Sequence, residues 1–241
     1  EEFLGALRRF TSRRGHPQDI YSDNGTNFVG AKNELESLYT FLKNENKTIA
    51  NELANVNIKW HFIPPRSPHM GGLWESNIKS VKKHLIKVLA GSHLTINEMY
   101  TVLVRIEACL NSRPLVPLTS DPNDLQVLTP GHFLIGEPLT AFAENDVRDV
   151  PLNRLSRWQF VERLRAHYWT RWSREYLTSL QRRSKWKQEG DNPNLVGSMV
   201  VLMEDGLPPL SWHIGRIQDI HSGDDGQVRV VSVKTSRGIV K

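Results

Sequence analysis

Hydrophobic and polar positions repeat with two different periods along this chain, and the two periods predict its elements. Apolar residues recur every three or four positions in five stretches, which predicts amphipathic helices over 1–14, 32–53, 73–89, 95–113 and 152–187. Alternation with a period of two predicts strands over 19–22, 57–62, 198–203, 212–220, 227–233 and 235–240. The helices therefore dominate the first three quarters of the chain, and short strands dominate its end.

Breaks in these periods predict the domain organisation. Residues 1–115 mix helices and strands, and residues 116–150 form a proline-rich extended connector without a clear period. Residues 151–190 form a basic, aromatic-rich helical segment. Residues 195–241 form a small all-β unit, with a tight turn at Ser-Gly-Asp-Asp-Gly, residues 222–226. The predicted fold class is α/β, followed by a helical linker and a small β-barrel.

Composition narrows the class of protein. The chain has 241 residues, of which 39% are hydrophobic and 24% are charged, values typical of a globular protein. No apolar run approaches the roughly 20 residues that a membrane span needs, so no membrane association is expected. Cys109 is the single cysteine, which excludes an internal disulfide and a multi-cysteine zinc site and fits a reducing compartment.

Positive charge is concentrated in one segment. The net charge of the chain is +5, and residues 151–188 contain ten Lys or Arg against two acids. A basic stretch of this kind is the expected footprint of a contact with a phosphate backbone, and a solvated helix face is the alternative. The candidate DNA-binding residues of this segment are Arg163, Arg171, Arg174, Arg182 and Arg183.

Two carboxylates occupy positions suited to metal chemistry. Asp23 follows a predicted strand, and Glu75 opens a predicted helix after a Pro/Gly loop. Oxygen-only ligands suit Mg²⁺ or Mn²⁺, and metals held in this way activate an attacking oxygen in phosphoryl transfer. The alternatives are an ordinary Asx turn at Asp23 and, at Glu75, an acid that complements the helix dipole.

Basic and polar residues surround these acids in the sequence. Lys79 and Lys82 follow Glu75 at helical spacing, with Lys83 beside them, and this arrangement suits a site that receives a polyanion. An ordinary Glu–Lys surface ladder is the alternative. Asn24 and Thr26 are candidates for contacts with phosphate, although turn formation is their commoner role.

Three separated motifs resemble the catalytic core of retroelement integrases. They are Ser-Asp-Asn-Gly-Thr-Asn-Phe at 22–28, Trp-His-Phe at 60–62, and Pro-Pro-Arg-Ser-Pro-His-Met-Gly-Gly-Leu-Trp-Glu at 64–75. More narrowly, these motifs resemble the integrase of BEL/Pao-type LTR retrotransposons. Residues 110–115 (Leu-Asn-Ser-Arg-Pro-Leu) and 128–139 (Leu-Thr-Pro-Gly-His-Phe-Leu-Ile-Gly-Glu-Pro-Leu) are further hallmarks of that type.

The resemblance implies a fold and a set of roles. It implies an RNase H-like core whose first strands, with the first acid of an Asp-Asp-Glu triad, lie upstream of Glu1. Asp23 and Glu75 would then be the second and third acids and the metal ligands, with Mg²⁺ or Mn²⁺ as the cofactor. Lys79 and Lys82 would bind the DNA of the element. Residues 195–241 would form an SH3-like barrel that is incomplete at its end. With two of three triad acids, this chain is expected to be inactive alone.

The implied activity is metal-dependent polynucleotidyl transfer, namely 3′-end processing followed by strand transfer of element DNA into host DNA. The implied partners are double-stranded DNA, both element ends and target, and further copies of the chain. The implied location is the nucleus, with a stage in cytoplasmic particles. Two alternatives remain: a non-catalytic DNA- or chromatin-binding module from a decayed or domesticated element, and an RNase H-type nuclease.

Overall fold

The computed structural model describes residues 2–45, 58–64, 67–142, 144–181, 195–223 and 228–241. The chain divides into two compact units, Glu1–Ser80 and Val81–Lys241. Both α-helices and β-strands are present, so the mixed α/β class is confirmed. The boundary between the units falls inside a helix, and the predicted four-part domain division stays a prediction. Among the described helices, none is long and apolar enough to cross a membrane.

The first unit contains two parallel strands and the helices that adjoin them in sequence. Its elements are α1 (Glu2–Arg14), β1 (Asp19–Ser22), α2 (Thr26–Glu45), β2 (Lys59–Phe62) and the beginning of α3 (Gly72–Leu89). β1 pairs with β2 in parallel, from Asp19 opposite Lys59 to Ser22 opposite Phe62. Parallel strands need a long crossover, and α2 lies within it. The predicted helix over 32–53 begins earlier, at Thr26, and its end lies outside the described residues.

One face of this strand pair is covered by aromatic rings. The ring centroid of Phe3 in α1 lies 4.8 Å from that of Phe28 and 5.9 Å from that of Trp60. The indole of Trp60 also donates a hydrogen bond to Ser22 Oγ at 2.8 Å. Because successive side chains of a strand point to opposite faces, Tyr21 and His61 stack on the other face, with 4.6 Å between ring centroids.

The second unit has a helical core. It contains the rest of α3 together with α4 (Ile96–Asn111), α5 (Pro130–Ile135) and α6 (Arg157–Leu180). The core consists of side chains from α4 and α6, namely Val102, Ile106, Cys109, Val161, Leu164, Tyr168, Trp169 and Trp172. Of the aromatic residues in the basic segment, Tyr168, Trp169 and Trp172 are buried in this core, whereas Trp158 is exposed. Cys109 is fully buried, and burial raises the pKa of its thiol to about 12.

Both long helices of this core begin at capping boxes. Thr95 accepts a hydrogen bond from the Glu98 backbone N–H while the Glu98 carboxylate accepts one from the Thr95 backbone N–H. Ser156 and Gln159 make the same reciprocal pair at the start of α6. A capping box satisfies two backbone donors that helix geometry leaves without partners. The start of α4 predicted from Thr95 is thereby confirmed.

The connector over 116–150 is tied to the rest of its unit. It contains the short antiparallel pair β3 (Val116–Pro117) and β4 (Val127–Leu128), followed by α5. The buried Arg216 donates to the backbone carbonyl of Asp124 at 3.0 Å, and Lys234 donates to Asn123 Oδ1 at 2.8 Å. The Nδ1 of His132 accepts from the Thr129 backbone N–H, so this histidine caps the start of α5.

The C-terminal strands form one antiparallel sheet in the order β5-β6-β7-β8. Its strands are β5 (Met199–Leu202), β6 (His213–Ser222), β7 (Val228–Thr235) and β8 (Gly238–Val240), each close to its predicted range. A small all-β region is thus confirmed at the coarse level, and closure into a barrel stays a prediction. Part of the predicted turn, residues 224–226, lies outside the described residues.

Trp212 joins this sheet to the helical core. Its ring centroid lies 4.8 Å from that of Trp169 and 5.7 Å from that of Tyr176, both in α6. Its indole N–H donates to Ser112 Oγ at 3.2 Å. The helix and the sheet therefore pack as one body within the second unit.

Candidate catalytic and nucleic-acid site

Asp23 lies at the carboxyl end of β1, where the chain turns toward α2. Its Oδ1 accepts a hydrogen bond from the Gly25 backbone N–H at 2.9 Å, so the carboxylate is held in an Asx turn. A Cβ at Gly25 would lie 3.0 Å from Asp23 Oδ1 and 2.7 Å from Asn27 Oδ1. A side chain at position 25 would therefore force the Asn27 amide and the candidate metal ligand Asp23 to shift.

Asn24 and Thr26 have structural positions beside this carboxylate. The Asn24 side-chain amide donates to the carbonyl of Ile63 at 2.8 Å, which connects the residues that follow β1 to those that follow β2. The backbone N–H of Ile63 in turn donates to the Ser22 carbonyl at 3.1 Å. Thr26 is exposed and is the first residue of α2. The carboxyl ends of both strands are thus bonded together at Asp23.

Glu75 is exposed in the first turn of α3, within the same compact unit as Asp23. Proteins commonly bind Mg²⁺ through one or two carboxylates, with waters and substrate phosphates completing the shell. Among the described residues, no group of three or more His, Cys, Asp or Glu side chains is arranged to hold a metal ion. Asp23 and Glu75 therefore stay the candidate ligands, and no larger metal-binding group accompanies them among the described residues.

The three candidate lysines all project from α3 and are all exposed. Glu75, Lys79 and Lys82 are spaced by four and three residues, which places them on one face of the helix. Lys79 belongs to the first unit, and Lys82 and Lys83 belong to the second. The Nζ of Lys83 lies 2.5 Å from Glu175 Oε2, so its charge is already paired within the second unit.

The candidate arginines of α6 differ in their accessibility. Arg171 is exposed, and Arg174 is 58% exposed in its side chain, with an ion pair of 2.5 Å to Asp205. Arg163 is partly buried, and its guanidinium donates to the Val150 carbonyl at 2.5 Å. Arg171 and Arg174 are thus better placed than Arg163 for phosphate contacts. Arg182 and Arg183 lie outside the described residues.

The periodicity of the sequence did not indicate a partly buried ionic cluster formed by Arg105, Glu144, Glu162 and Arg165. Arg165 pairs with Glu144 and, at 3.1 Å, with Glu162, while Arg105 also pairs with both acids. Glu162 and Arg165 are each 6% exposed. Their spacing of three along α6 was the available signal, but an (i, i+3) pair is equally typical of a helix surface. The partner Glu144 lies in the connector, which has no readable period.

Comparison with known proteins gives one partial match. Residues 156–241 match a domain family of unknown function, DUF5641. The matched region begins at Ser156, the N-cap of α6, and includes α6 and the whole four-stranded sheet. No curated protein matches the chain. The helix and the sheet that Trp212 joins are therefore also grouped together by sequence similarity.

Proposed function

We propose that this chain is part of a BEL/Pao-type integrase, a metal-dependent polynucleotidyl transferase acting on double-stranded DNA. The observation that carries the proposal is the position of Asp23 at the joined carboxyl ends of a parallel strand pair. Ligand sites of α/β sheets lie at this edge. Two motif residues make hydrogen bonds at this edge. The Asn24 side-chain amide donates to the Ile63 carbonyl, and the Gly25 backbone N–H donates to the Asp23 carboxylate. Residues 110–115 and 128–139 extend the resemblance beyond that edge.

A divalent cation fits the donors that this chain offers. Asp23 and Glu75 would hold Mg²⁺ or Mn²⁺, since both donors are carboxylate oxygens and Mg²⁺ accepts waters and substrate phosphates as its other ligands. When bound, the ion supplies an activated attacking oxygen and stabilises the leaving oxygen in phosphoryl transfer. Lys79, one helical turn after Glu75, would contact a DNA phosphate as a point charge.

The role of the second unit in this proposal is DNA binding. Arg171 and Arg174 present guanidinium groups on the exposed side of α6, whereas the aromatic side of the same helix is buried in the core. Arginine binds phosphate in a bidentate manner, so this face suits a nucleic-acid backbone. The sheet segment 189–241 carries seven acids against five bases, which disfavours it as the main DNA contact.

A strand-transfer assay tests the proposal. Labelled duplex DNA carrying an element end is incubated in Mn²⁺ with this chain, and with a chain extended upstream to include the implied first triad acid. Joined products are expected from the extended protein. Glu75→Gln should abolish joining while DNA binding persists, because the ligand is lost but the basic residues remain.

Glu34→Gln provides the matched control. Glu34 is an exposed acid on α2 in the same compact unit, and its neutralisation should leave joining intact. Full joining by Glu75→Gln would contradict the assignment of this residue. No joining by either length of chain, with salt-sensitive DNA binding intact, would instead favour the non-catalytic binding module.

A further inference from the structure

The outer face of the parallel strand pair presents an aromatic ring to solvent. Tyr21 of β1 is 64% exposed. Its ring lies against that of His61 of β2, with 4.6 Å between the centroids and 14° between the planes. Among the residues that the structure describes, His61 covers one face of the Tyr21 ring, and the opposite face is open to water.

The Tyr21 ring is also held in place. The Nε2 of His61 lies 2.6 Å from Asp19 Oδ1, and this hydrogen bond fixes the imidazole beneath the tyrosine ring. Asp19 and Tyr21 lie on β1, and His61 faces Tyr21 from β2, so all three side chains are mounted on paired strands. A single exposed side chain is ordinary on a protein surface. A ring ordered in advance by two neighbours differs, because a ligand that stacks on it loses less conformational entropy on binding.

The chemistry around the ring selects the class of ligand. The same face carries the Asp19 carboxylate and the exposed Lys59 ammonium, which lie opposite each other across the two strands. A protein segment or a hydrocarbon ligand would need a contiguous apolar area, and this face offers one ring bordered by charged groups. A nucleobase fits it, because a base has a flat π surface, hydrogen-bonding edges and a phosphate close by for a lysine.

The ring lies close to the candidate metal ligand. Exposure alternates along the chain from Tyr21, which is exposed, through the buried Ser22 to Asp23, which is again partly accessible. This alternation places Asp23 on the Tyr21 face, about 7 Å further along the strand direction. Stacked nucleotides follow one another at about 3.4 Å along one strand of DNA. A base on Tyr21 would therefore lie about two nucleotides from a phosphate at Asp23.

We propose that Tyr21, supported by His61, stacks on an unpaired base of the DNA substrate, about two nucleotides from the phosphate held at Asp23. A base inside a duplex is stacked between its neighbours, so only an unpaired or extruded base can reach the ring. Tyr21 thus favours an opened DNA end over internal duplex. The inference rests on the proposed function, because it takes Asp23 as the residue that holds the reacting phosphate through its metal.

Fluorescence anisotropy with the 241-residue chain tests the inference. One labelled DNA is a blunt 20-base-pair duplex, and the other is the same duplex with three unpaired nucleotides at one 3′ end. The opened duplex should bind about tenfold more tightly, which is within the range expected for one base stacked on an aromatic side chain. Tyr21→Leu should remove this preference and leave the affinity for the blunt duplex unchanged, whereas Tyr21→Phe should keep it.

Phe10→Leu is the matched control. Phe10 is a 46% exposed aromatic residue of α1 in the same compact unit, and its replacement should leave the preference for the opened duplex intact. Unchanged affinity of each variant for the blunt duplex shows that the variant is folded. Equal affinity of the unaltered chain for the two duplexes, or an equal loss of preference in Phe10→Leu and Tyr21→Leu, would overturn the inference.

A fluorescent base reports the stacking directly. 2-Aminopurine is placed in the unpaired tail, and its emission falls when it stacks on another ring. Quenching is expected with the unaltered chain and with Tyr21→Phe, and it should be lost with Tyr21→Leu. His61→Leu removes the ring beneath Tyr21 and should weaken the quenching, whereas Phe10→Leu should not. Equal quenching by Tyr21→Leu and the unaltered chain would contradict the contact.

The strand-transfer assay separates this inference from the proposed function. If the upstream-extended chain joins DNA and Tyr21→Leu keeps the preference for the opened duplex, the stacking site fails and the proposed function stands. If Tyr21→Leu loses both the preference and the quenching but the extended chain joins no DNA, the stacking site stands and the proposed catalysis fails.

Discussion

Single residues at the Asp23 turn set the geometry of the candidate metal ligand. Gly25→Ala would place a Cβ 3.0 Å from Asp23 Oδ1 and 2.7 Å from Asn27 Oδ1, closer than ordinary van der Waals contact. The Asp23 carboxylate must then shift, and we expect Mn²⁺ affinity to fall by roughly tenfold, as for other residues that orient a ligand. Calorimetric titration of Mn²⁺ into the 241-residue chain measures this change. Gly30→Ala is the control, since a Cβ at Gly30 meets nothing within 4 Å, and an equal loss there would contradict the explanation.

The buried His84 contributes to the pH dependence of stability in the second unit. Burial lowers the pKa of this imidazole below its usual 6.5, and the attraction of Glu175 only partly offsets the effect. The unfolded chain therefore binds more protons than the folded chain below pH 6.5, so the free energy of unfolding falls as the pH falls through that window. His84→Gln should flatten this dependence in urea unfolding curves measured between pH 7 and pH 5. The exposed His93 is the control, and a flattening equal to that of His84→Gln in His93→Gln would contradict the assignment.

At the scale of elements, each capping box makes its own contribution to the free energy of unfolding of the second unit. Thr95→Ala removes the hydroxyl that accepts from the Glu98 backbone N–H, and a lost cap costs about 1 kcal/mol. That loss should lower the thermal midpoint of this unit by roughly 2–4 °C. Thr101→Ala in the same helix is the control: its hydroxyl donates to the Asn97 carbonyl in mid-helix, and alanine is the better helix former. A midpoint unchanged in Thr95→Ala would show that tertiary packing alone fixes this end of α4.

The secondary-structure elements were predictable where the pattern that forms them lies within one short stretch of the sequence. Strand β1 lies where alternation placed it, and β5–β8 agree within a few residues, because a half-buried strand shows its period in the sequence. The connector over 116–150 was not predictable beyond its composition. Its structure depends on bonds that join residues far apart in sequence, such as Arg216 to Asp124 and Arg148 to Gly206. The cluster around Arg165 was missed for the same reason, whereas Asp23 and Glu75 were proposed as site residues from motifs.

At the scale of the whole molecule, much of the concentrated positive charge is used internally. Arg157 pairs with Glu98, Arg163 donates to a carbonyl, and Arg165 is buried among carboxylates. Within the described part of the basic segment, Arg154, Arg157, Arg171 and Arg174 are exposed. Arg157 is paired with Glu98, and Arg174 is paired with the exposed Asp205. The density of basic residues in the sequence therefore overstates the charge that the described surface offers to DNA. Arg171 and Arg174 are the exposed arginines that are proposed to contact DNA, and their replacement tests this contact.

The salt dependence of DNA binding measures this available charge. Each phosphate contact contributes about −0.9 to the slope of log K against log salt concentration. Replacing Arg171 and Arg174 together by Gln should make the slope shallower by roughly 1–2 and weaken binding to different duplexes about equally, as expected for contacts to the backbone. Fluorescence anisotropy of a labelled duplex, between 50 and 300 mM salt, gives the slope. Replacing Arg229 and Arg237 together by Gln is the matched control, since both are exposed but lie in the net-negative sheet region. Equal changes in slope for the two proteins would show that DNA does not distinguish α6 from the sheet, and would remove α6 from the proposed interface.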